Sequence, residues 1–212
     1  MTIQPIVEGD GEMEAVPALL RRLLAEGQVT GVQVGKPIKR PRNQLVREEV
    51  LARMVRVALL RPDCGGVLVI LDGNTDCPRT LGPALQRWAE AAAGGVPCAV
   101  VLAHREYEAW FLASLESLRG LRGIRHDAEP HPDPEEPRDA KGELEAHMEP
   151  GRAYHPTIDQ PALTALFDMP QAYGRSRSFR RMVRAVGLLV GAAGIPASAW
   201  PPAGWVPPEE RL

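Results

Sequence analysis

The sequence lacks most of the features that would assign it to a specialised class of protein. Its three cysteines, Cys64, Cys77 and Cys98, are odd in number and have no zinc-type spacing, which favours reduced thiols and a cytoplasmic location. No apolar stretch approaches the length of a membrane span, and the first residues do not resemble a signal peptide, so we expect no membrane association. No glycine-rich dinucleotide motif or P-loop is present, which argues against a nucleotide-binding module.

The chain also lacks a large excess of positive or negative charge. The formal net charge is −2 over 212 residues, so nothing in the overall charge commits the chain to a polyanion. Any contact with nucleic acid must therefore come from a local basic patch. A chain of this length accommodates one domain, or one domain with an appendage.

What the sequence does contain is an alternation of short apolar runs and amphipathic segments. The runs that predict strands are Ile3–Glu8, Val29–Val34, Gly66–Leu71 and Pro97–Ala103. The segments that predict helices are Met13–Ala25, Gln44–Leu60, Leu81–Ala93 and Glu106–Leu118. This order predicts an α/β fold with a mainly parallel sheet flanked by helices.

The composition changes after about Gly123, so we predict an α/β core over 1–122 and an extension over 123–212. The extension begins with a loop rich in proline and acidic residues, His126–Pro137. Further helices are predicted at Ala140–Met148, Gln160–Met169 and Ser178–Ala193. A proline-rich tail, Pro196–Arg211, carries Trp200 and Trp205, which we expect to pack the tail onto the core.

Two acidic clusters follow two of the predicted strands. The first is Glu8-Gly9-Asp10-Gly11-Glu12, and the second is Asp72-Gly73-Asn74-Thr75-Asp76. Because the carboxyl ends of parallel strands form the ligand-binding edge of an open α/β sheet, the two clusters are expected to meet there. Gathered carboxylates repel one another, and Mg²⁺ or Mn²⁺ would remove that repulsion. The sequence therefore predicts a metal site of the kind that acts on phosphates.

Not every acid in these clusters needs a metal. Glu8 closes an apolar strand, and Asp72 is the strongest candidate ligand. Glu12 is either a ligand or a complement to the dipole of the following helix. Asp76 is either a ligand or the cap of the helix after Pro78. Glu106 and Glu108 follow the fourth strand, and one of them could complete the metal shell; both could not point into one site if a helix has already begun there.

Two basic patches are candidates for holding a nucleic-acid backbone. The first comprises Lys36, Lys39, Arg40 and Arg42. The second comprises Arg175, Arg177, Arg180, Arg181 and Arg184, of which the last four recur at helical spacing. Arginine suits phosphate through bidentate contacts. Neither patch interleaves aromatic residues, so recognition of a particular base sequence is not indicated.

The acidic motifs resemble a known domain. A strand followed by Glu8-Gly9, and a later strand followed by Asp72-x-Asn74-x-Asp76, resembles the Toprim domain of topoisomerases, primases and overcoming-lysogenization-defect nucleases. More closely, the chain resembles a bacterial Toprim-like domain-of-unknown-function family, number 4276. That resemblance is carried by four motifs: Glu-Gly-x-x-Glu at Glu8, Asp76-Cys77, Glu-x-Glu-Ala-Trp from Glu106 to Trp110, and Arg177-Ser178-Phe179. Asn74 departs from the Asp-x-Asp pattern.

The resemblance implies a Toprim-like, Rossmann-like fold and a metal-dependent nuclease. The implied catalytic acids are Glu8, Glu12, Asp72 and Asp76, and the implied ligands of Mg²⁺ or Mn²⁺ are Glu8, Asp72, Asp76, Glu106 and Glu108. Nucleic acid, DNA or RNA, would contact Lys36, Lys39, Arg40, Arg177, Arg180 and Arg181. The resemblance also implies defence against phage or mobile DNA beside an ATPase partner, and it leaves a homodimer open.

Two alternatives compete with a nuclease. Asn74 and the tryptophan-bearing tail would also suit a non-catalytic subunit that docks onto an ATPase. The stretch Asp72-Gly73-Asn74-Thr75 is superficially similar to the nucleophile loop of haloacid-dehalogenase-type phosphatases. That loop normally follows the first strand and not the third, and a phosphatase would leave Glu8 without a role.

Overall fold

A parallel β-sheet forms the centre of the computed structural model, which describes residues 1–195 and 200–205. The strands are β1 (Thr2–Val7), β2 (Gln33–Val34), β3 (Ile38–Lys39), β4 (Cys64–Asp72) and β5 (Cys98–Ala103). Their order is β2-β1-β4-β5, and β3 pairs with β1 further along the same side as β2. Every pairing is parallel, so all the strands end at one edge of the sheet.

The apolar run of β4 is buried because both faces of the sheet are covered, as is typical of parallel sheets. Leu68 and Ile70 face one side, and Val67, Val69 and Leu71 face the other. The first side packs against the helices α1 (Glu12–Glu26) and α9 (Arg177–Ala192), and the second against α3 (Glu48–Leu59) and α4 (Pro78–Ala93). The alternation of side chains along β4 thus divides the core into two layers.

The remaining helices are short and lie mostly in the C-terminal half. They are α2 (Arg42–Leu45), α5 (Ala109–Leu112), α6 (Ala140–Ala146), α7 (Pro156–Thr164) and α8 (Met169–Arg175), with 3-10 turns at Leu115–Leu118 and Ala203–Trp205. Leu163, Phe167 and Phe179 from this half join the same buried cluster as α1 and β4. The predicted boundary after residue 122 is therefore not a break in the hydrophobic core.

The structure confirms the predicted α/β class, the mainly parallel sheet and the helical C-terminal region. Several local expectations differ. Only Gln33–Val34 of the predicted second strand is a strand. The first basic patch contains β3, where the Arg40 N–H donates to the Val7 carbonyl at 2.9 Å. The helices predicted at Gln44–Leu60 and Glu106–Leu118 are each divided into two shorter elements.

A cluster of five aromatic side chains packs α9 against the core. The rings of Tyr107, Trp110, Phe179, Phe167 and Phe111 make successive tilted or edge-on contacts, with centroids 4.6–5.6 Å apart. The Trp110 indole N–H also donates to the Ser178 hydroxyl at 2.9 Å. These contacts fix the first turn of α9, where Ser176 caps the helix by accepting from the Phe179 N–H.

The two tail tryptophans pack on the body of the chain, as expected. The Trp200 indole N–H donates to the Val183 carbonyl at 2.6 Å, and Trp205 lies edge-on to Tyr173 with centroids 5.8 Å apart. The rest of the predicted tail, 196–199 and 206–211, lies outside the described residues. Among the helices that the structure describes, none has the length and apolar character needed to span a membrane.

Replacing Phe179 by alanine is expected to lower the free energy of unfolding by about 3–5 kcal/mol, because a fully buried ring is removed from a packed aromatic chain. Leu188, on the same helix, is 71% exposed. Leu188→Ala is the matched control and should change stability by no more than about 0.5 kcal/mol. Urea denaturation followed by circular dichroism measures both, and equal losses would show that α9 is not fastened through Phe179.

Candidate metal centre

Three acidic side chains converge at the carboxyl edge of the sheet. Glu8 directly follows β1, Glu12 opens α1 and Asp72 is the last residue of β4. Because β1 and β4 are parallel neighbours, the Asp72 N–H donates to Glu8 Oε2 at 3.2 Å. One carboxylate oxygen of each of the three residues lies within 4.8 Å of the others. We call Glu8, Glu12 and Asp72 the carboxylate trio.

Glycines allow the chain to turn tightly between Glu8 and Glu12. The Gly9 N–H donates to Glu12 Oε2, and a Cβ on Gly9 would lie only 3.0 Å from that same oxygen. A Cβ on Gly11 would collide with the side chain of Gln160. The glycines therefore bring the Glu12 carboxylate back over the end of β1, where it faces Asp72.

Without a cation, the ionised form of the three carboxyl groups is electrostatically unfavourable. Burial, reinforced by the charge of Asp72, raises the pKa of Glu8 to about 7. Burial, reinforced by Asp72 and Glu8, raises the pKa of Glu12 to about 8. Burial also raises the pKa of Asp72, which is 6% exposed. Desolvation and like charges both disfavour the anions, so a bound cation would stabilise all three.

Beside the trio, a lysine sits among three further carboxylate oxygens. Lys141 Nζ lies 3.2 Å from Asp72 Oδ2, 2.9 Å from Glu106 Oε1 and 3.0 Å from Glu108 Oε2. Burial alone would lower the pKa of Lys141, but Asp72, Glu108 and Glu106 outweigh that effect and raise it. Lys141 is therefore a permanent cation shared by the acidic residues of two strand ends. We call Asp72, Glu106 and Glu108 the lysine cage.

Glu106 and Glu108 can both face Lys141 because the helix has not yet begun there. Helix α5 begins at Ala109, three residues later than the sequence pattern predicts. The Tyr107 N–H donates to Asp72 Oδ1 at 2.8 Å, which holds the turn at Tyr107 and Glu108 against the end of β4. The Tyr154 hydroxyl donates to the other oxygen of Glu108 at 2.8 Å. Both glutamates lie next to Asp72, and both contact a lysine.

Asp76 lies apart from the trio. Its side chain is 49% exposed and pairs with Arg42, whose Nε donates to the Asp72 carbonyl at 2.7 Å. The helix cap is Cys77, so Asp76 does not cap α4. Asn74 is exposed and has a φ of 49°. The role of Asp76 as a metal ligand stays a prediction. Arg42 binds the loop that carries Asp76.

The predicted nucleic-acid contacts have different surroundings. Lys36 is exposed, and Lys39 pairs with Asp10 beside the first acidic cluster. Arg177 and Arg181 are exposed one helical turn apart on α9. Arg180 instead donates to the carbonyls of Tyr173 and Gly174, at 2.9 and 3.1 Å. Arg180 thus stabilises the end of α8, and Arg40 is half-buried.

Sequence reasoning missed Lys141, the residue that links the two groups of acids. No motif marks it, because it lies near the end of the acidic loop, far from both clusters in sequence. A signal was nevertheless present. The chain has 25 lysines and arginines together, and only Lys36, Lys39 and Lys141 are lysines. Lysine and arginine bind carboxylates with different geometry, so these three positions were the ones to consider.

The residues of the site lie within a span that matches a family model. A family model described as a domain of unknown function, DUF4276, matches residues 7–187. The chain belongs to the DUF4276 family. The matched span contains the carboxylate trio, the lysine cage and most of α9. No curated protein and no solved structure matches the chain.

The trio predicts an unusual pH dependence of stability. In a chelator, Glu8 and Glu12 keep protons in the folded chain that the unfolded chain loses near its ordinary pKa of 4.5. The free energy of unfolding should therefore fall as the pH rises from about 4.5 through about 8. Glu12→Gln should reduce that fall by roughly half, since one of the two groups no longer titrates.

Denaturant titrations at a series of pH values measure this fall. Glu14→Gln is the matched control, because Glu14 is an exposed acid in the same first turn of α1. It should leave the pH dependence of wild type unchanged. An unaltered slope in Glu12→Gln would mean that Glu12 ionises freely in the folded protein.

Proposed function

We propose that this protein is a divalent-metal-dependent nuclease of Toprim type, in which the carboxylate trio holds Mg²⁺ or Mn²⁺. The observation that carries the proposal is the convergence of three buried carboxylates from two parallel strand ends and a helix start. All their donor atoms are carboxylate oxygens, the ligands that hard divalent cations prefer. The trio fits such a cation chemically, because burial and the neighbouring carboxylates, which raise the pKa of Glu8 and Glu12, both disfavour the anions that a cation would stabilise.

A divalent cation bound to carboxylates would supply an activated water and would offset negative charge on a phosphodiester. The chain's own residues hold the surrounding structure in place. The Tyr107 N–H and Lys141 fix the two oxygens of Asp72, and Arg42 fixes its carbonyl. Asp72 therefore needs little rearrangement to act as a ligand, which favours a preorganised site.

Three exposed cations could contact a phosphate backbone, and two of them, Lys39 and Arg177, also pair with Asp10 and Glu135. Lys39 lies on β3, which pairs with the end of β1 just before Glu8. Arg177 and Arg181 extend from α9, which packs along β5. Such contacts bind phosphates without reading bases, so we propose sequence-independent binding of DNA or RNA. Action against phage or mobile DNA beside an ATPase remains part of the proposal.

The two alternatives have less support. Trp200 and Trp205 pack on the chain's own helices, so the tail tryptophans do not argue for a partner. Asn74 lies outside the trio, so its lack of charge removes no member of it. A phosphatase would need Asp72 as an accessible nucleophile, and Asp72 is 6% exposed with both carboxylate oxygens engaged.

Asp72→Asn is expected to abolish metal-dependent cleavage of DNA or RNA, because the isosteric amide keeps the shape of the site and removes the shared charge. The measurement is cleavage of labelled single- and double-stranded substrates in Mg²⁺ and in Mn²⁺. Asp63→Asn is the matched control, since Asp63 is an exposed acid at the opposite end of β4. Its φ of 55° suits asparagine, so it should cleave like wild type. Undiminished cleavage by Asp72→Asn contradicts the assignment.

Arg181→Gln is expected to weaken nucleic-acid binding by a similar factor for all sequences. It should also reduce the slope of log affinity against log salt by about 1, as expected when one phosphate contact is lost. Arg21→Gln is the charge-matched control, because Arg21 is exposed on α1 outside both basic patches. Fluorescence anisotropy with a catalytically inactive background measures both slopes. Equal slopes for the two variants would remove Arg181 from the interface.

A further inference from the structure

We propose that the Lys141 ammonium takes the place of a second divalent cation, so that this site binds one metal ion and not two. The inference rests on the proposed function for the presence of the first ion in the carboxylate trio. It concerns the lysine cage, which shares Asp72 with the trio. Five carboxylates therefore surround two positions for positive charge, and one of these positions already holds a covalently attached cation.

The cage matches an ammonium in number and distance. Lys141 Nζ donates to Asp72 Oδ2 at 3.2 Å and to Glu106 Oε1 at 2.9 Å, and it lies 3.0 Å from Glu108 Oε2 as an ion pair. The three oxygens come from three different residues. A planar guanidinium prefers paired oxygens of one carboxylate, whereas an ammonium acts as a compact point charge. This explains why an arginine-rich chain keeps lysine at this position.

The cage is also poorly suited to a hydrated ion. The Glu108 side chain is fully buried, and its second oxygen accepts from the Tyr154 hydroxyl. Mg²⁺ loses water reluctantly and usually keeps several water ligands. An ion in the cage would have to displace Lys141 and shed most of its water, whereas the trio includes the partly exposed Glu8. The trio is thus the more accessible position for an ion.

Lys141 is anchored by its backbone as well as by its side chain. Its N–H donates to Glu106 Oε2 at 3.0 Å, while its Nζ contacts the other oxygen of the same carboxylate. Asp139 caps the helix that carries it by accepting from the Gly142 N–H. These backbone and side-chain contacts together offset the entropy cost of ordering the lysine and hold Nζ in the cage. Lys141 is therefore a positioning residue for Asp72.

The test counts bound Mn²⁺ per chain by calorimetry and reads its environment by electron paramagnetic resonance. Wild type is expected to bind one Mn²⁺ with the six-line spectrum of an isolated ion. Lys141→Met removes the ammonium and keeps the length of the side chain, so it is expected to bind two ions with an exchange-coupled spectrum. Lys36→Met is the matched control, because Lys36 is exposed, and it should bind one ion. Two ions in wild type, or one in folded Lys141→Met, would overturn the proposal.

A second pair of variants keeps the test decisive if Lys141→Met does not fold. Glu106→Gln alters the cage and should retain one Mn²⁺, whereas Glu12→Gln alters the trio and should lose it. Loss of Mn²⁺ in Glu106→Gln would make Glu106 a metal ligand and would overturn the proposal. Wild type that binds no Mn²⁺ overturns both this inference and the proposed metal site. One bound Mn²⁺ without any nuclease activity supports the inference and contradicts the proposed function.

Discussion

The parallel pairing of β1 with β4 is the constraint on which the site depends. It aligns two strands so that both end at the same edge, and it places Glu8 beside Asp72 with the Asp72 N–H donating to Glu8 Oε2. Neither side chain could be brought so close in an exposed loop, where like charges would separate freely. The buried strands impose the proximity, and the apolar residues of β4 stabilise it through two packed layers.

That proximity is unfavourable for folding, which is the main reason to regard the cluster as functional. Buried carboxylates are costly unless they are paired, and the trio raises the pKa of Glu8 and Glu12 towards or above neutrality. Lys141 compensates only the cage side, where it contacts Asp72, Glu106 and Glu108. Strongly perturbed carboxylates in one cluster are typical of functional sites, because a packed core would use apolar residues instead.

The sequence predicted the parts of this arrangement that local pattern controls. Apolar runs followed by acids indicated the strand ends, so Glu8 and Asp72 could be expected to meet. Local pattern could not reveal contacts made by distant segments. Lys141 reaches the site from a helix beyond the acidic loop, and Asp76 turns to Arg42 because that guanidinium also binds the end of β4. The late start of α5 likewise depends on Asp72, which accepts from the Tyr107 N–H.

The departure at Asn74 is consistent with the single-ion site that we propose. Asn74 has a φ of 49°, a conformation that asparagine tolerates well, and its N–H donates to the Arg105 carbonyl at 2.7 Å. Its backbone therefore ties the loop after β4 to the loop after β5, a task that needs no second acid. Under the proposed function, a second acid at position 74 would add negative charge for a metal to offset. The charged side chain in contact with Asn74 is that of Arg105, which donates to the Asn74 carbonyl at 3.2 Å. A neutral residue at 74 and the Lys141 ammonium in the cage both add to the balance of charge without a second cation.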